Sequence, residues 1–136
     1  MSMRGFFSTA LIAGILIVLV PSIVRADKFN EATNAYNAKN YELALLIFLS
    51  MAKRGNKLAQ YNVATIYNLD GQAVRNVPKA VKWYRAAALQ GYIPAQLNLG
   101  IMYREGQGVA RDDAKAVSWF QSAADQGVNL VRLFSV

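Results

Sequence analysis

Residues 59–91 read AQYNVATIYNLDGQAVRNVPKAVKWYRAAALQG, and residues 95–127 repeat the pattern as AQLNLGIMYREGQGVARDDAKAVSWFQSAADQG. When residues 56–91 are aligned with residues 92–127, 13 of the 36 positions are identical. A period in this range is typical of solenoids, in which each unit buries its apolar face on its neighbours. The repeat therefore carries more weight than any single short motif in predicting the fold.

Apolar residues with the spacing of a helix face occur three times, each time before a glycine. The three groups are Ala44, Ile47, Phe48, Met51 and Ala52; Ala80, Trp83, Tyr84, Ala87 and Ala88; and Ala116, Trp119, Phe120, Ala123 and Ala124. The spacing i, i+3, i+4, i+7, i+8 predicts a helix with one buried face. We name these helices B and expect Gly55, Gly91 and Gly127 to lie just past their ends.

A second type of helix, named A, precedes each helix B. Two copies share an apolar spacing of i, i+4, i+7, i+8: Ala59, Val63, Ile66 and Tyr67, then Ala95, Leu99, Met102 and Tyr103. The first helix A is predicted over residues 27–38, with Asp27 as its N-cap. Gly100 stands where the other copy has Ala64, so we expect a neighbouring helix to approach closely there.

These six helices predict an all-α fold, a right-handed α-solenoid of antiparallel helix pairs in the order A1-B1-A2-B2-A3-B3. The expected units are residues 27–55, 56–91 and 92–127. The link between helices A and B is shorter in the first unit, where Tyr36 is followed closely by Ala44, than in the other two.

The first 26 residues have the three-part layout of a secretory signal. Arg4 lies in a short leader, residues 6–20 are mostly apolar, Pro21 ends any helix, and Val24-Arg25-Ala26 supplies the small residues that signal peptidase needs. We expect cleavage after Ala26 and a periplasmic or secreted mature chain. The alternative is an uncleaved inner-membrane anchor, and the chain is expected to contact a membrane only in that case.

Composition excludes several classes of chemistry. The chain has no histidine and no cysteine, which rules out histidine or cysteine zinc sites, thiol nucleophiles, histidine bases and disulfides. Its net charge is +7, or +5 once the leader with Arg4 and Arg25 is removed. Because the basic residues are scattered and export is expected, we interpret the charge as serving solubility and predict no nucleic-acid partner.

The repeated residues resemble the Sel-one-like repeat (SLR), a relative of the tetratricopeptide repeat. The SLR pattern is Ala-Gln-x-Asn-Leu-Gly, Tyr-x-x-Gly-x-Gly-Val, Asp, Lys-Ala, Trp-Tyr, Ala-Ala and Gly. Residues 95–127 match this pattern almost throughout, and residues 59–91 match it with gaps. Residues 29–55 look more like a tetratricopeptide repeat. The resemblance implies a solenoid adaptor that gathers proteins or peptides into complexes. Some secreted SLR proteins act on cell-wall material, but those are rich in cysteine pairs, which this chain lacks.

Three conspicuous motifs are interpreted as structural. Trp83 and Trp119 lie within the repeated apolar stripe, which favours packing over ligand stacking. The glycines of residues 106–108 have no preceding strand and no following Lys-Ser/Thr, so they indicate a turn and not a phosphate loop. Asp112 and Asp113 are typical of the N-cap and first turn of helix B3. We therefore expect no catalytic, cofactor or metal site.

A partner-binding surface, if present, is placed by the family geometry on the inner face formed by the helices A. Counting from the helix A tyrosines gives these exposed inner positions: Asn34, Asn37, Tyr61, Thr65, Asn68, Leu97, Ile101 and Arg104. Their amide, aromatic and apolar groups suit a peptide held partly through its backbone. The alternative, weighed equally, is a merely solvated face.

Residues 128–136 depart from the repeat, because only nine residues follow Gly127 where a fourth helix A should begin. Three interpretations stay open: a short cap over helix B3, an open end used for docking or for forming a homo-oligomer, and a truncated repeat. The cap is ranked slightly first.

The sequence thus predicts an exported helical-repeat adaptor, not an enzyme, that binds a protein or peptide partner in the bacterial envelope. The alternative from another class is a cell-wall-directed enzyme or enzyme regulator of the secreted SLR type. A third interpretation is a truncated solenoid without function.

Overall fold

The computed structural model describes the backbone of residues 24–134 and the side chains of residues 24–127. Helix α1 spans residues 24–37. The other helices are α2 (Tyr41–Ala52), α3 (Lys57–Asn68), α4 (Val77–Leu89), α5 (Ile93–Glu105) and α6 (Asp113–Phe134). All regular structure within residues 24–134 is helical, which confirms the all-α prediction.

The helices stack in chain order, so that α1, α3 and α5 are the helices A and α2, α4 and α6 are the helices B. From α2 onward each helix packs against the next, and Phe29 of α1 meets Phe48 of α2 edge to face at 5.3 Å between ring centroids. One continuous core runs through the stack, and its largest fully buried side chains are Phe48, Val63, Ile66, Leu99 and Met102. The predicted solenoid of helix pairs is confirmed.

Polar side chains begin four of the helices. In each case a side-chain oxygen accepts a hydrogen bond from the backbone N–H three residues later, which satisfies one of the free donors at a helix start. These N-caps are Asn40, Asn56, Asn76 and Asp112. The prediction for the Asp112–Asp113 pair is confirmed, since Asp112 caps α6 and Asp113 lies in its first turn.

The start of α1 differs from the prediction. Residues 24–26, the first that the structure describes, are already helical, so Asp27 lies within the helix and is not its N-cap. The apolar leader predicted as a signal segment lies outside the described residues, apart from residues 24–26. Among the described residues, no helix combines the length and hydrophobicity needed to cross a membrane.

Two buried glutamines connect successive units through their side-chain amides. Gln60 Nε2 donates to the carbonyl oxygen of Ala52 at the end of α2 (3.1 Å), and Gln60 Oε1 accepts from Gln90 Nε2 at the end of α4 (2.8 Å). The same two bonds recur one repeat later. Gln96 Nε2 donates to the carbonyl oxygen of Ala88 (3.1 Å), and Gln96 Oε1 accepts from Gln126 Nε2 (2.9 Å). The repeated glutamines are therefore explained by stacking, because each one bonds to the helix B on either side of it.

Other repeated residues are also used for packing. The ammonium group of Lys79 lies 5.4 Å from the ring centroid of Tyr67, and that of Lys115 lies 5.5 Å from the ring of Tyr103. These cation–π contacts join the start of each helix B to the end of its helix A. The two tryptophans, Trp83 and Trp119, are half-buried and packed against the core, as the packing interpretation predicts.

The glycine-rich link between α5 and α6 packs against the preceding unit. Gly108 adopts φ +64°, and a Cβ atom there would lie 2.6 Å from Cγ1 of Val77, at the start of α4. Only glycine combines that backbone conformation with so close an approach. The prediction that residues 106–108 form a turn is confirmed.

The repeat predicts that helix α6 ends at Gly127, but the helix continues to Phe134. The equivalent glycines Gly55 and Gly91 have φ +90° and +78°, the left-handed conformation that ends a helix. Residues 128–134 therefore extend helix B3, and the interpretation of this segment as a separate cap folded back over that helix is wrong.

Alanine substitution at two helical glycines tests this geometry. A Cβ at Gly100 would lie 2.6 Å from the Phe120 ring, so Gly100→Ala should lower the free energy of unfolding by about 1–3 kcal/mol. A Cβ at Gly127 meets nothing within 4 Å, so Gly127→Ala should raise it by about 0.5–1 kcal/mol. Urea denaturation measures both; a destabilised Gly127→Ala variant would show that the helix ends there after all.

Candidate functional site

The eight residues predicted for the inner face lie on α1, α3 and α5, in three rows of equivalent repeat positions. The first row is Tyr61 and Leu97; the second is Asn34, Thr65 and Ile101; the third is Asn37, Asn68 and Arg104. The side chains of Asn34, Asn37, Leu97 and Arg104 are exposed, and those of Tyr61, Thr65, Asn68 and Ile101 are half-buried. All eight are at least partly open to solvent, and that they bind a partner stays a prediction.

The asparagines of this face have free amide groups. Among the described residues, the side chains of Asn34, Asn37 and Asn68 make no hydrogen bond, in contrast to Asn40, Asn56 and Asn76, which cap helices. Each free amide offers two N–H donors and one carbonyl acceptor. These side chains are therefore available to an external hydrogen-bonding group.

Thr65 is bonded inside the protein. Its hydroxyl donates to the carbonyl oxygen of Tyr61 at 3.0 Å and lies 3.3 Å from the hydroxyl of Tyr84 on α4. Since the single Thr65 proton goes to the carbonyl, Tyr84 must donate to Thr65 Oγ1. Burial raises the pKa of Tyr84, although its hydrogen bonds with Thr65 and Asn98 oppose this shift, so the phenol keeps its proton at neutral pH.

Three tyrosines form a cluster beside Thr65. The ring of Tyr61 lies 5.6 Å from that of Tyr84 and 5.1 Å from that of Tyr92, in tilted and edge-to-face arrangements. Tyr84 is buried, whereas Tyr61 and Tyr92 are half-buried. The cluster gives the middle of the inner face a rigid aromatic surface that is partly open to solvent.

In the third unit the predicted residues have different surroundings. The guanidinium of Arg104 lies 5.9 Å from the ring centroid of Phe120 on α6 and 3.4 Å from a carboxylate oxygen of Glu105. Arg104 is therefore directed toward α6, whereas Tyr61 and Thr65 meet the tyrosine cluster. The structure does not bring the eight residues into one pocket; they extend along the stack.

Sequence reasoning missed Tyr92, which contacts Tyr61, and Asn98, which bonds to the Tyr84 hydroxyl. Tyr84 is buried, as its place in the apolar stripe predicts, but its equivalents Phe48 and Phe120 have no hydroxyl, and the bonds of that hydroxyl were not predicted. Tyr92 stands where the preceding unit has the N-cap Asn56, and it makes no side-chain cap bond itself. The exchange of a capping residue for an aromatic one between two copies is the sequence feature that indicates this role.

The described residues include no group of three or more histidine, cysteine, aspartate or glutamate side chains placed to hold a metal ion. The half-buried carboxylate of Asp112 and the exposed carboxylate of Asp113 have lowered pKa values, chiefly because Lys115 donates to the first from its backbone and Arg111 donates to the second. Their role at the start of α6 accounts for both.

Exchanging one polar pair tests the arrangement at Tyr84. The third unit has Ile101 and Phe120 where the second has Thr65 and Tyr84. Thr65→Ile alone should cost about 1–3 kcal/mol, because it removes the acceptor of a buried hydroxyl. Adding Tyr84→Phe should recover about 0.5 kcal/mol or more of that loss. Urea denaturation of both single variants and the double variant measures the coupling; purely additive losses would contradict the bond.

Comparison with known proteins agrees with this architecture. The family model described as "Sel1 repeat" matches residues 57–92 and 93–128, which is more than half of the chain. The chain matches none of the curated proteins with which it was compared.

Two solved structures are similar. One is a protective antigen present in uropathogenic Escherichia coli strains, which displays an SLR fold. Its sequence is 32% identical and the TM-score is 0.68; the match covers 74% of this chain and 22% of the antigen. The other is a Sel1 repeat protein from Oxalobacter formigenes, 40% identical with a TM-score of 0.56, over 62% of this chain and 64% of that protein. This chain thus spans less than two thirds of either. With two matched repeats in a stack of helix pairs, the chain belongs to the Sel1 repeat family.

Proposed function

We propose that the chain is an exported adaptor that binds an extended peptide segment of a partner protein on its inner face. Sel1 repeats generally serve protein–protein interaction as non-catalytic scaffolds, and membership of the family supports this general role. The observation that carries the specific proposal is the set of unpaired amides at Asn34, Asn37 and Asn68, on two successive helices A.

A peptide backbone is the ligand that these amides suit. An extended segment presents alternating N–H and C=O groups, and an asparagine side chain can pair with both kinds. The half-buried rings of Tyr61 and Tyr92 supply apolar contact area on the same face. A partner held in this way would be selected partly by its backbone and partly by an apolar side chain placed near the tyrosines.

Export is supported by the leader, which carries Arg4, an apolar stretch and the Val24-x-Ala26 pattern. Cleavage after Ala26 would remove the first three residues of α1 and leave Asp27 at its start. A carboxylate there is favourable, because it faces the positive end of the helix dipole. We therefore propose the bacterial envelope as the site of action.

The third row of the inner face gives a direct binding test. Affinity capture from envelope extract identifies the partner, and calorimetry with the purified partner measures its affinity. The triple variant Asn37→Ala, Asn68→Ala and Arg104→Ala should weaken binding at least tenfold, because each substitution removes a polar group from the face. These side chains are exposed or half-buried, so the fold should be retained.

The matched control places three alanines at one repeat position on the opposite side of the helix pairs: Leu46→Ala, Lys82→Ala and Ser118→Ala, all exposed on helices B. This variant should bind normally. If the control loses binding while the inner-face variant retains it, the partner occupies the outer surface and the proposal is wrong.

Export has its own measurement. N-terminal sequencing of the chain purified from cells should begin at Asp27, and Ala26→Tyr should block that cleavage, because signal peptidase requires a small residue at this position. Recovery of an intact Met1 from the membrane fraction of cells expressing the unaltered chain would instead identify an uncleaved anchor.

A further inference from the structure

One face of α6 is open where the equivalent face of α4 is covered. Val81 and Ala88 of α4 are 5% and 1% exposed. The same repeat positions on α6 are Val117, which is 64% exposed, and Ala124, which is also exposed. Phe120 lies between them and is half-buried, although its equivalents on the other two helices B are buried. We name Val117, Phe120 and Ala124 the end face.

The difference follows from what packs next to each helix B. Within the stack, α2 is followed by α3 and α4 by α5, and in both cases the helix A of the following unit packs onto the helix B. After Gly127 the chain does not turn into another helix A, because α6 continues to Phe134. Within residues 24–134, the end face therefore has the shape of an inter-unit contact on which no further helix packs.

The first helix of the stack is not a suitable counterpart. Its apolar residues Ala32 and Ala35 are already buried in the first unit, and from Asp27, the first residue after the proposed cleavage site, all its exposed side chains are polar or charged. They include Lys28, Asn30, Glu31, Asn34 and Asn37. Head-to-tail stacking of two copies would bury these groups against an apolar surface, at a cost in desolvation.

We propose that the end face pairs with the same face of a second copy, so that two α6 helices pack together about a two-fold axis. The side chains of the end face are apolar, the Arg104 guanidinium lies at its edge, 5.9 Å from the ring centroid of Phe120, and the face continues the contact between units. The most suitable matching surface among the described residues is the face itself. Val117 and Ala124 are seven residues apart with Phe120 between them, the spacing of a helix–helix seam. Exposed Asp113, Gln121 and Asp125 supply a polar rim.

Sedimentation velocity of the chain, purified as cells process it, tests the proposal. The unaltered protein should sediment as a dimer at micromolar concentration, and the variant Val117→Glu with Ala124→Glu as a monomer. Leu46→Glu is the control, because Leu46 is an equally exposed apolar residue (69%) on α2, and this variant should remain a dimer. A monomer at all concentrations, or a dimer that survives the double substitution, would overturn the proposal.

Disulfide trapping distinguishes the geometry. The chain has no cysteine, so a single introduced cysteine reports only on its own surroundings. Phe120→Cys and Ala124→Cys should each be oxidised to a covalent dimer, since both lie near the two-fold axis, whereas Leu46→Cys should not. Cross-linking that occurs only in a mixture of Ala124→Cys and Asn34→Cys chains would mean head-to-tail stacking and would contradict the two-fold arrangement.

Discussion

The hydrogen bonds of two buried glutamines fix how the repeats of this protein stack. Gln60 and Gln96 each bond to the last turn of the preceding helix B and accept a bond from the end of the following one. A buried amide that loses its partners costs about 1–3 kcal/mol, so neither the height nor the rotation of one unit against the next can change freely. Apolar contacts alone would tolerate such sliding, because they have no direction.

This constraint distinguishes the residues that hold the stack together from those that are available to bind a partner. The glutamines, the Lys79–Tyr67 and Lys115–Tyr103 contacts and the tryptophans are the same in the second and third units because they serve stacking and packing there. Residues that differ between these copies are not needed by both, although some, such as Gly100 and Gly108, pack within one of them. Tyr92 in place of an N-cap gives up a capping bond of about 1 kcal/mol and gains a ring contact with Tyr61. This exchange lies at the start of α5 and contacts Tyr61 of the inner face, which supports the proposed binding role of that face.

The sequence predicted most of the fold because helical periodicity and the repeat gave the same answer. Gly100 could be predicted from a single comparison with Ala64, since a close helix approach needs a small residue. The continuation of α6 through Gly127 could not be predicted, because three identical glycines follow three similar helices and only the residues after them differ. Asn56 and Pro94 help to begin the next helix after the first two glycines, whereas residues 128–130 offer no cap or proline at the matching positions. The Thr65–Tyr84 bond was also beyond sequence reasoning, because those residues are 19 positions apart and meet only after α3 and α4 pack.

The inner face and the end face adjoin at Arg104, which lies over the Phe120 ring, and their combination has a consequence for affinity. A two-fold pair of α6 helices would join two stacks at their ends and leave α1, α3 and the tyrosine cluster of both copies open. Two equivalent peptide sites on one particle bind a repetitive or multi-copy partner with greater avidity than either site alone, provided that the spacing of the partner matches. A weak contact at each inner face would then be sufficient.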